Sequence, residues 1–231
     1  IFLENIGVKR YKTASADLYD LNLHERIIQT GKPVIISVGM SSLKDIKITL
    51  DLYKKKKYKN VSILHCVSNY PCSLESLNLN CIKLLKEEFN YNVGFSDHSM
   101  GFLASTVAVS LGAKIIEKHF TLNNNMIGPD HKTSLNPKNF SEFVKLVKST
   151  QIILGSKNKK IQKEELNMLK VSRKSLTLIN KVKKNQKIKS SDVSLKRPGL
   201  GLSGHFIKKI LNKKYKKNLK TNHQLKYSDI K

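Results

Sequence analysis

The sequence predicts an α/β protein made of parallel βα units and followed by a small β-rich module. Five short apolar runs recur at intervals of 22 to 31 residues, and segments with helical periodicity lie between them. Strand, helix and strand at this spacing are typical of parallel βα units. After about residue 155 the chain becomes polar and then β-like, which predicts a change of domain.

The predicted strands are continuous apolar runs, which favours a sheet covered on both faces. They are RYKTAS at 10–15, VIISVGM at 34–40, VSILHC at 61–66, NVGFSD at 92–97 and KIIEKHF at 114–120. The predicted helices cover 42–56, 78–89, 101–113 and 139–154. Residues 1–155 are therefore predicted to form the α/β domain.

Polar side chains at the strand ends favour a (β/α)8 TIM barrel over a doubly wound sheet. The chain lacks the GxGxxG and Walker motifs expected after an early strand of a doubly wound sheet. The strand ends instead carry Ser15, Asp17, Ser37, His65, Ser68, Ser96, His98, Glu117 and His119. A TIM barrel assembles its active site from the carboxyl ends of several strands. Because such a barrel needs eight units, we expect the last five βα units here and an N-terminal truncation.

The second module is predicted from an internal repeat. Residues 156–171 are polar and are predicted to be a linker, and residues 172–231 contain short β-like segments. VKKNQKIKSSDV at 182–193 aligns with LKTNHQLKYSDI at 219–230, an offset of 37 residues. Between the copies lies KRPGLGLS, a Pro/Gly segment that is typical of a loop.

Composition limits the classes of partner. The formal charge is +26, but only four residues are arginine and the lysines are spread over the whole chain. This spread favours a lysine-biased composition over a nucleic-acid surface, and the positive field could still attract anionic substrates.

Apolar runs fall short of the ~18 residues that a membrane span needs. Three cysteines without CxxC spacing predict a reduced chain without a zinc site, and we expect it in the cytoplasm.

Two histidines are the first candidates for chemistry. His98 and His119 each end a predicted strand in a polar cluster, and they could be metal ligands, an acid/base pair or ordinary loop residues. Imidazole is a common metal ligand, and two imidazoles would leave coordination positions for substrate and water.

A second candidate group would bind an anion. Lys12 supplies a cation, and the serines at 15, 37 and 96 supply hydroxyl donors at the strand ends. Such donors suit a phosphate or carboxylate, although each serine alone is equally typical of a turn or cap. Asp130 follows Pro129 in a loop, where a turn role and a site role are both open.

The motifs, taken in order, resemble the sialic acid synthase family, which includes the N-acetylneuraminate, legionaminate and pseudaminate synthases. The resemblance runs from about Val8 to Ile230, and the tail resembles that family's antifreeze-like (SAF) domain. The motifs are KTASAD, GKPVIISVGM, SILHCVSNYP, GFSDHSMG, IIEKHFTL, GPDHKTSLNP and KRPGLG.

The resemblance implies a (β/α)8 barrel, a SAF (β-clip) domain and a divalent metal, most often Mn²⁺, with Mg²⁺ or Co²⁺ as alternatives. It implies metal ligands at His98 and His119, phosphoenolpyruvate contacts at Lys12, Ser15, Ser37 and Ser96, and sugar contacts at Tyr70, Asp130 and Arg197. Arg197 would come from the partner subunit of a domain-swapped homodimer. Glu117 and Asp130 are the candidates for positioning hydroxyls or moving protons.

The implied reaction joins phosphoenolpyruvate to an N-acylated amino sugar. C3 of phosphoenolpyruvate attacks the sugar aldehyde, water adds to C2, and phosphate leaves. N-acetylmannosamine, giving N-acetylneuraminate, is the first expectation. Legionaminate comes close behind because of GPDHKTSLNP, and pseudaminate is a weaker alternative.

Other functions stay open at this point. A metal-dependent TIM-barrel hydrolase would need more metal ligands, and a nucleic-acid-binding protein would use the positive charge. An inactive fragment is the third alternative, because the family's upstream glutamate and lysine are absent and an edge strand would lack its partner. Asn185 and Asn222 stand where the SAF pattern tends to have glycine, which asparagine replaces at turns.

Overall fold

A computed structural model describes residues 2–231 and divides them into two compact units. The first unit ends at Gly155, and the second begins at Ser156. Among the described residues, no helix is both long and apolar enough to cross a membrane.

The first unit contains one curved parallel sheet, which confirms the predicted parallel α/β architecture. Its described strands have the order β1-β2-β3-β4-β5: Tyr11–Thr13, Val34–Ser37, Val61–Cys66, Asn92–Asp97 and Ile116–Lys118. The helices of this unit are α1 Phe2–Asn5, α2 Leu21–Thr30, α3 Leu43–Lys55, α4 Cys81–Phe89, α5 Leu103–Ser110 and α6 Pro137–Leu154. The sequence did not predict α2, whose buried His24 and Ile27 face the core.

Three predicted strands are shorter in the structure. The second strand, predicted over 34–40, ends at Ser37. The other two are the edge strands β1 and β5. After Thr13 the chain turns into a 3-10 helix at Ser15–Tyr19, so that only the middle of 10–15 is strand. The fifth strand covers three residues of the predicted 114–120. In both places the polar residues that follow the strand leave the sheet, which allows them to turn towards one side of it.

The core of this unit lies between the sheet and the helices. Alternate strand residues such as Val34, Ile36, Ile63 and Phe95 are buried in a single apolar cluster with side chains from the helices. Because successive strand residues point to opposite faces, the residues between them line the concave inner face. The apolar content of the strands is thus explained by the helices on the outer face.

The sheet curls until its two edges approach across the inner face. With strands ~4.8 Å apart, five flat strands would separate β1 from β5 by roughly 19 Å. Instead, Lys12 Nζ in β1 lies 3.5 Å from Glu117 Oε2 in β5. Within residues 2–231, neither edge strand pairs with a further strand of this sheet. The first unit is therefore a parallel half-barrel.

The second unit has its own small apolar core. Strand β6 (Ser175–Leu178) pairs antiparallel with β7 (Val193–Lys196), and a short helix α8 covers Ile207–Ile210. The predicted linker 156–171 needs a correction in its second half, because helix α7 spans Glu165–Ser172. The segment EELNMLK is rich in strong helix formers and has a glutamate in the first turn, which stabilises a helix although none of its residues is buried.

The internal repeat corresponds to a structural duplication. Leu178 pairs with Val193 in the β6–β7 ladder, and the residues 37 positions later, Tyr215 and Ile230, form an equivalent bridge. In each copy an asparagine adopts a positive φ, 68° at Asn185 and 65° at Asn222. Asparagine tolerates this conformation, which explains how it substitutes for glycine here.

The two copies meet at a pair of equivalent residues. Val182 and Leu219, which are 37 positions apart, donate to each other's carbonyl at 3.0 Å in both directions. Such a reciprocal contact between equivalent residues marks a local two-fold axis. The second unit is therefore built from two similar halves around this contact.

Candidate functional site

The polar strand ends of the first unit converge on one cleft. Its volume is about 330 Å³, and it opens at the carboxyl ends of the strands on the concave face. Predicted site residues that line it are Lys12, Ser15, Ser37, Tyr70, Ser96, His98, Glu117 and His119. Ala14, Ala16, Met40, Cys66 and Ser68 complete the described lining. The structure thus brings together eight of the ten residues that the sequence singled out.

Glu117 is the centre of the charged part of the cleft. Ser96 Oγ donates to Glu117 Oε1 at 2.6 Å, and Lys12 Nζ lies 3.5 Å from Oε2. Lys12 also donates to the carbonyl of Thr13 at 2.9 Å. The lysine and the glutamate are both partly exposed, so that an anion entering the cleft could compete with the carboxylate for the lysine.

His98 is held in one orientation by the loop after β3. Its Nδ1 donates to the Val67 carbonyl at 2.7 Å, which leaves a lone pair on Nε2. The Ser96 hydroxyl lies 3.2 Å from Nε2, but its proton is directed to Glu117 at the shorter distance of 2.6 Å. Burial lowers the pKa of His98, partly offset by the bond to Val67, so that the neutral ring is favoured at pH 7.

His119 and Tyr70 complete an aromatic group around His98. The ring centroids of Tyr70 lie 4.1 Å from His98 and 5.1 Å from His119, and the two imidazole centroids are 5.4 Å apart. Asp130 Oδ2 is 3.8 Å from His119 Nδ1, and this carboxylate is more than half exposed. Asp130 thus lies beside the histidine pair although it does not line the cleft itself.

The histidine pair fits a catalytic metal ion better than a structural one. Nowhere in residues 2–231 do three or more His, Cys, Asp or Glu side chains form a group that could hold a metal ion. The lone pair on His98 Nε2 suits metal ligation. The Val67 carbonyl accepts from Nδ1 and so fixes the tautomer in which Nε2 carries no proton. A metal on two imidazoles would leave positions open for substrate and water.

The floor of the cleft beside β2 is closely packed. Ser15 Oγ accepts from the Gly39 amide at 2.9 Å and lies 3.1 Å from Cys66 Sγ. A Cβ on Gly39 would come within 2.6 Å of Cys66 Sγ and of Ser68 Oγ. Ser37 is buried and lines the same wall. Cys66 was not predicted as a lining residue, because its position opposite Ser96 depends on strand register.

Besides Asp130, three of the highlighted polar residues lie outside the cleft lining. Asp17 belongs to the 3-10 helix after β1, where its Oδ2 accepts from the Ala14 amide at 3.1 Å. His65, the next-to-last residue of β3, faces the helices, where its ring stacks on Phe95 and Nε2 donates to the Leu77 carbonyl at 2.6 Å. The strand-end reading of His65 was therefore wrong, since the alternation of β3 directs Cys66 rather than His65 into the cleft. Arg197 belongs to the second unit, is exposed, and donates through Nε to the Ser172 carbonyl at 3.2 Å.

Acid is expected to destabilise the first unit before the second. Burial is the main cause that lowers the pKa of His24, His65 and His98 below 6.5. As the pH falls, the unfolded chain therefore protonates these histidines before the folded chain does. The stability that the neutral histidines contribute is complete above about pH 6.5 and is lost as the pH falls below it. In the second unit, burial alone would raise the pKa of Asp229, but hydrogen bonds, the strongest of them from His223, lower it below 3.8. The stability that the ionised Asp229 contributes therefore persists to lower pH than that of the histidines.

Hydrogen exchange followed by mass spectrometry would measure this difference unit by unit. Protection of residues 2–155 should fall between pH 7 and pH 5, whereas protection of residues 156–231 should stay nearly constant. A His65→Gln variant, which keeps a donor for Leu77 but does not titrate, should show a smaller change. Equal protection of the first unit at both pH values would contradict the assignment of buried neutral histidines.

Comparison with known proteins relates the chain to one family. The model of the NeuB family matches residues 1–159. N,N'-diacetyllegionaminic acid synthase of Legionella pneumophila is 35% identical, over 99% of this chain and 65% of that protein. Pseudaminic acid synthase of Helicobacter pylori is 34% identical, over 99% of this chain and 67% of that protein. The chain thus spans about two thirds of the length of these curated relatives.

The fold has a matching crystal structure. N-acetylneuraminic acid synthetase of Leptospira borgpetersenii superimposes with a TM-score of 0.67 and 36% sequence identity. The match covers 72% of this chain and 58% of that one.

Proposed function

Because the chain belongs to the NeuB family, we propose that it forms part of a synthase that condenses phosphoenolpyruvate with an N-acylated amino sugar. The observation that carries this proposal is the convergence of Lys12, Ser96, Glu117 and two histidines at one cleft. An anionic substrate and a carbonyl substrate need a cation, hydroxyl donors and a site for a Lewis acid side by side. A hydrolase would not require the cation and the serines in this position.

The phosphoenolpyruvate side of the site is proposed at Lys12 with Ser15, Ser37 and Ser96. The lysine is the only cationic side chain among the described residues that line the cleft. It would exchange part of its contact with Glu117 for the carboxylate or phosphate of the substrate, since charge-assisted hydrogen bonds are the stronger ones. Alignment of the two substrates in one cleft would supply much of the rate enhancement.

His98 and His119 are proposed to hold a divalent ion, Mn²⁺ in the first place, with Mg²⁺ or Co²⁺ as alternatives. When bound, such an ion supplies Lewis-acid polarisation of the sugar carbonyl. The Tyr70 ring packs against both imidazoles at tilted angles. Asp130, whose carboxylate lies 3.8 Å from His119 Nδ1, would accept hydrogen bonds from sugar hydroxyls.

Glu117 is the proposed proton acceptor. When C3 of phosphoenolpyruvate forms a bond to the sugar aldehyde carbon, the π electron pair of the aldehyde moves to its oxygen, which takes up a proton to become a hydroxyl. C2 becomes electron-poor, and a water oxygen adds there. The carboxylate of Glu117 would take the proton of that water, and phosphate then leaves C2 with the electron pair of the broken C–O bond. Ser96 donates to one oxygen of Glu117 and Lys12 Nζ lies 3.5 Å from the other, so that both contacts orient the carboxylate in the cleft.

The second unit is proposed to be a SAF domain that brings Arg197 to the sugar's acyl group in a domain-swapped homodimer. The acyl carbonyl is a planar acceptor, which suits the multi-donor guanidinium better than lysine. In this structure Arg197 is exposed and makes one described side-chain bond, to Ser172.

Two sugars deserve to be tested first. The Leptospira structure is described as a sialic acid synthetase, which supports N-acetylmannosamine as substrate and N-acetylneuraminate as product. The Legionella relative is a legionaminic acid synthase and matches nearly the whole chain, which supports the diacetylated precursor of legionaminate. The Helicobacter relative makes pseudaminate the third candidate.

The proposed function predicts phosphate release that depends on two substrates and a metal. The natural protein that contains this chain should release phosphate from phosphoenolpyruvate only when Mn²⁺ and one of these sugars are both present. A His98→Ala/His119→Ala double variant should lose this activity, and Arg197→Lys should weaken the use of the sugar. Lys47→Met, on the exposed face of α3, is the control and should be unaffected. Full activity of the double histidine variant would disprove the metal assignment.

A further inference from the structure

A buried ion pair lies directly behind the cleft. Asp97 ends β4 and Lys118 ends β5, and the two residues are Cα partners in the parallel ladder. Lys118 Nζ lies 3.1 Å from Asp97 Oδ2, and the side chains are 2% and 0% exposed, respectively. Neither residue was among the candidates from the sequence.

The carboxylate of Asp97 is saturated with hydrogen bonds. Its Oδ1 accepts from the Ser99 amide at 2.9 Å and from Ser99 Oγ at 2.7 Å. Its Oδ2 accepts from Ser105 Oγ at 2.6 Å, and Ser105 lies in α5. Lys118 also donates to the carbonyl of Ser99. The pair therefore ties the ends of two strands to the following loop and to helix α5.

Each member of the pair is flanked by residues that face the cleft. Asp97 stands between Ser96 and His98, and Lys118 stands between Glu117 and His119. Since neighbouring residues of an extended segment point to opposite faces, anchoring Asp97 and Lys118 on the outer face sets the direction of their neighbours. The anchor on one side of the sheet thereby determines the geometry on the other side.

We propose that Asp97 and Lys118 are positioning residues that fix His98 and His119 relative to one another and to Glu117. For its catalytic consequence this inference rests on the proposed function. His98 has a second anchor on its β3 side, where Val67 accepts from Nδ1 and the Cys72 amide donates to the His98 carbonyl at 3.1 Å. Asp97 and Lys118 supply the matching anchor on the β5 side.

Stability alone does not account for a charged pair at this place. Desolvation of two charges offsets most of their attraction, and apolar residues of similar volume often stabilise a fold equally well. An apolar pair, however, would not specify the angle between β4 and β5 or the path of the loop at Ser99. The directional bonds of the Asp97 carboxylate do specify both.

The experiment compares Lys118→Met with Lys47→Met in the 231-residue chain. Lys47 belongs to an exposed ion pair with Asp51, so that its variant loses the same charge without touching the site. Nitrogen-15 NMR of the imidazoles reports the tautomer of His98, and electron paramagnetic resonance of free Mn²⁺ reports metal affinity. We expect Lys118→Met to mix the His98 tautomers and to weaken Mn²⁺ binding by roughly tenfold, as loss of supporting contacts around metal ligands does. Lys47→Met should change neither.

The outcomes separate this inference from the proposed function. If the unaltered chain binds no Mn²⁺, the metal assignment fails, while the tautomer of His98 still tests the positioning role. If Lys118→Met does not fold, Ser105→Ala removes a single donor to Asp97 and should produce smaller changes in the same direction. A single His98 tautomer and unchanged Mn²⁺ affinity in the variant that folds would overturn the inference.

Discussion

Gly94→Ala is expected to lower the stability of the first unit by about 3 kcal/mol, the upper range for overpacking in a closed core. A Cβ on Gly94 would lie 2.4 Å from the Ile115 carbonyl oxygen, 2.6 Å from Leu64 Cδ2 and 2.8 Å from Ile115 Cβ. The first of these atoms belongs to the backbone and accepts from the Phe95 amide at 2.9 Å. The clash therefore cannot be relieved without separating β4 from the chain before β5.

Chemical denaturation with hydrogen exchange resolved by unit would measure this loss, and the second unit would serve as an internal reference. Gly39→Ala is the matched comparison, because its added Cβ meets side-chain atoms of Cys66, Ser68 and Ser15 rather than backbone. We expect it to perturb the cleft more than the fold. Equal stability of Gly94→Ala and the unaltered chain would show that Ile115 does not approach β4 this closely.

Glu117→Gln is expected to reduce kcat of the natural protein roughly 10²–10⁴-fold, the contribution typical of a positioned acid or base. The amide keeps the shape of the side chain and an acceptor for Ser96, but it cannot take a proton from water. KM for phosphoenolpyruvate should change little or fall, since Lys12 is freed from its 3.5 Å contact with the carboxylate. Steady-state phosphate release at several phosphoenolpyruvate concentrations would separate the two effects.

Three further variants make this result specific. Glu142→Gln removes an exposed carboxylate from α6 and should leave kcat unchanged. Lys12→Met should raise KM for phosphoenolpyruvate, and a double variant with Glu117→Gln shows whether the two residues act together. A Glu117→Gln protein with normal kcat would remove Glu117 from the chemistry and direct attention to Asp130.

The sequence predicted the middle of the sheet best. Of the three interior strands, β3 and β4 were predicted to the residue, because short apolar runs bounded by polar residues are typical of buried strands. Strand β2 ends at Ser37, before the apolar run that predicted it ends at residue 40. The edge strands β1 and β5 are short, and their apolar runs continue beyond the ladder, so their ends depend on the curvature of the sheet. Helix α2 was missed because its apolar face is interrupted by the buried His24, which reads as polar in the sequence.

Site residues could be predicted where a side chain suited to binding or catalysis lies at the end of a predicted strand. Lys12, Ser96, Glu117 and the two histidines all follow from that rule, and the structure brings them to one cleft. Which of two neighbouring residues faces inward depends on the register between strands, and this explains why His65 was wrongly included and Cys66 was overlooked. The roles of these residues in catalysis stay predictions.

The pair formed by Asp97 and Lys118 was invisible for a different reason. In the sequence the two residues are 21 positions apart and each looks like an ordinary charged residue between more interesting neighbours. Only the parallel register of β4 and β5 makes them partners. Contacts between residues far apart in the chain require the fold before they can be recognised.

The reciprocal contact between Val182 and Leu219 gives the second unit the internal symmetry of a dimer. An interface that joins equivalent residues of two similar halves is the kind that forms between two identical subunits. Within one chain, the two halves that repeat at an offset of 37 residues thus meet in the isologous manner of a symmetric dimer. The symmetry is not exact, because His223 bonds to Asp229 in the later half, whereas Gln186 holds the corresponding place in the earlier half.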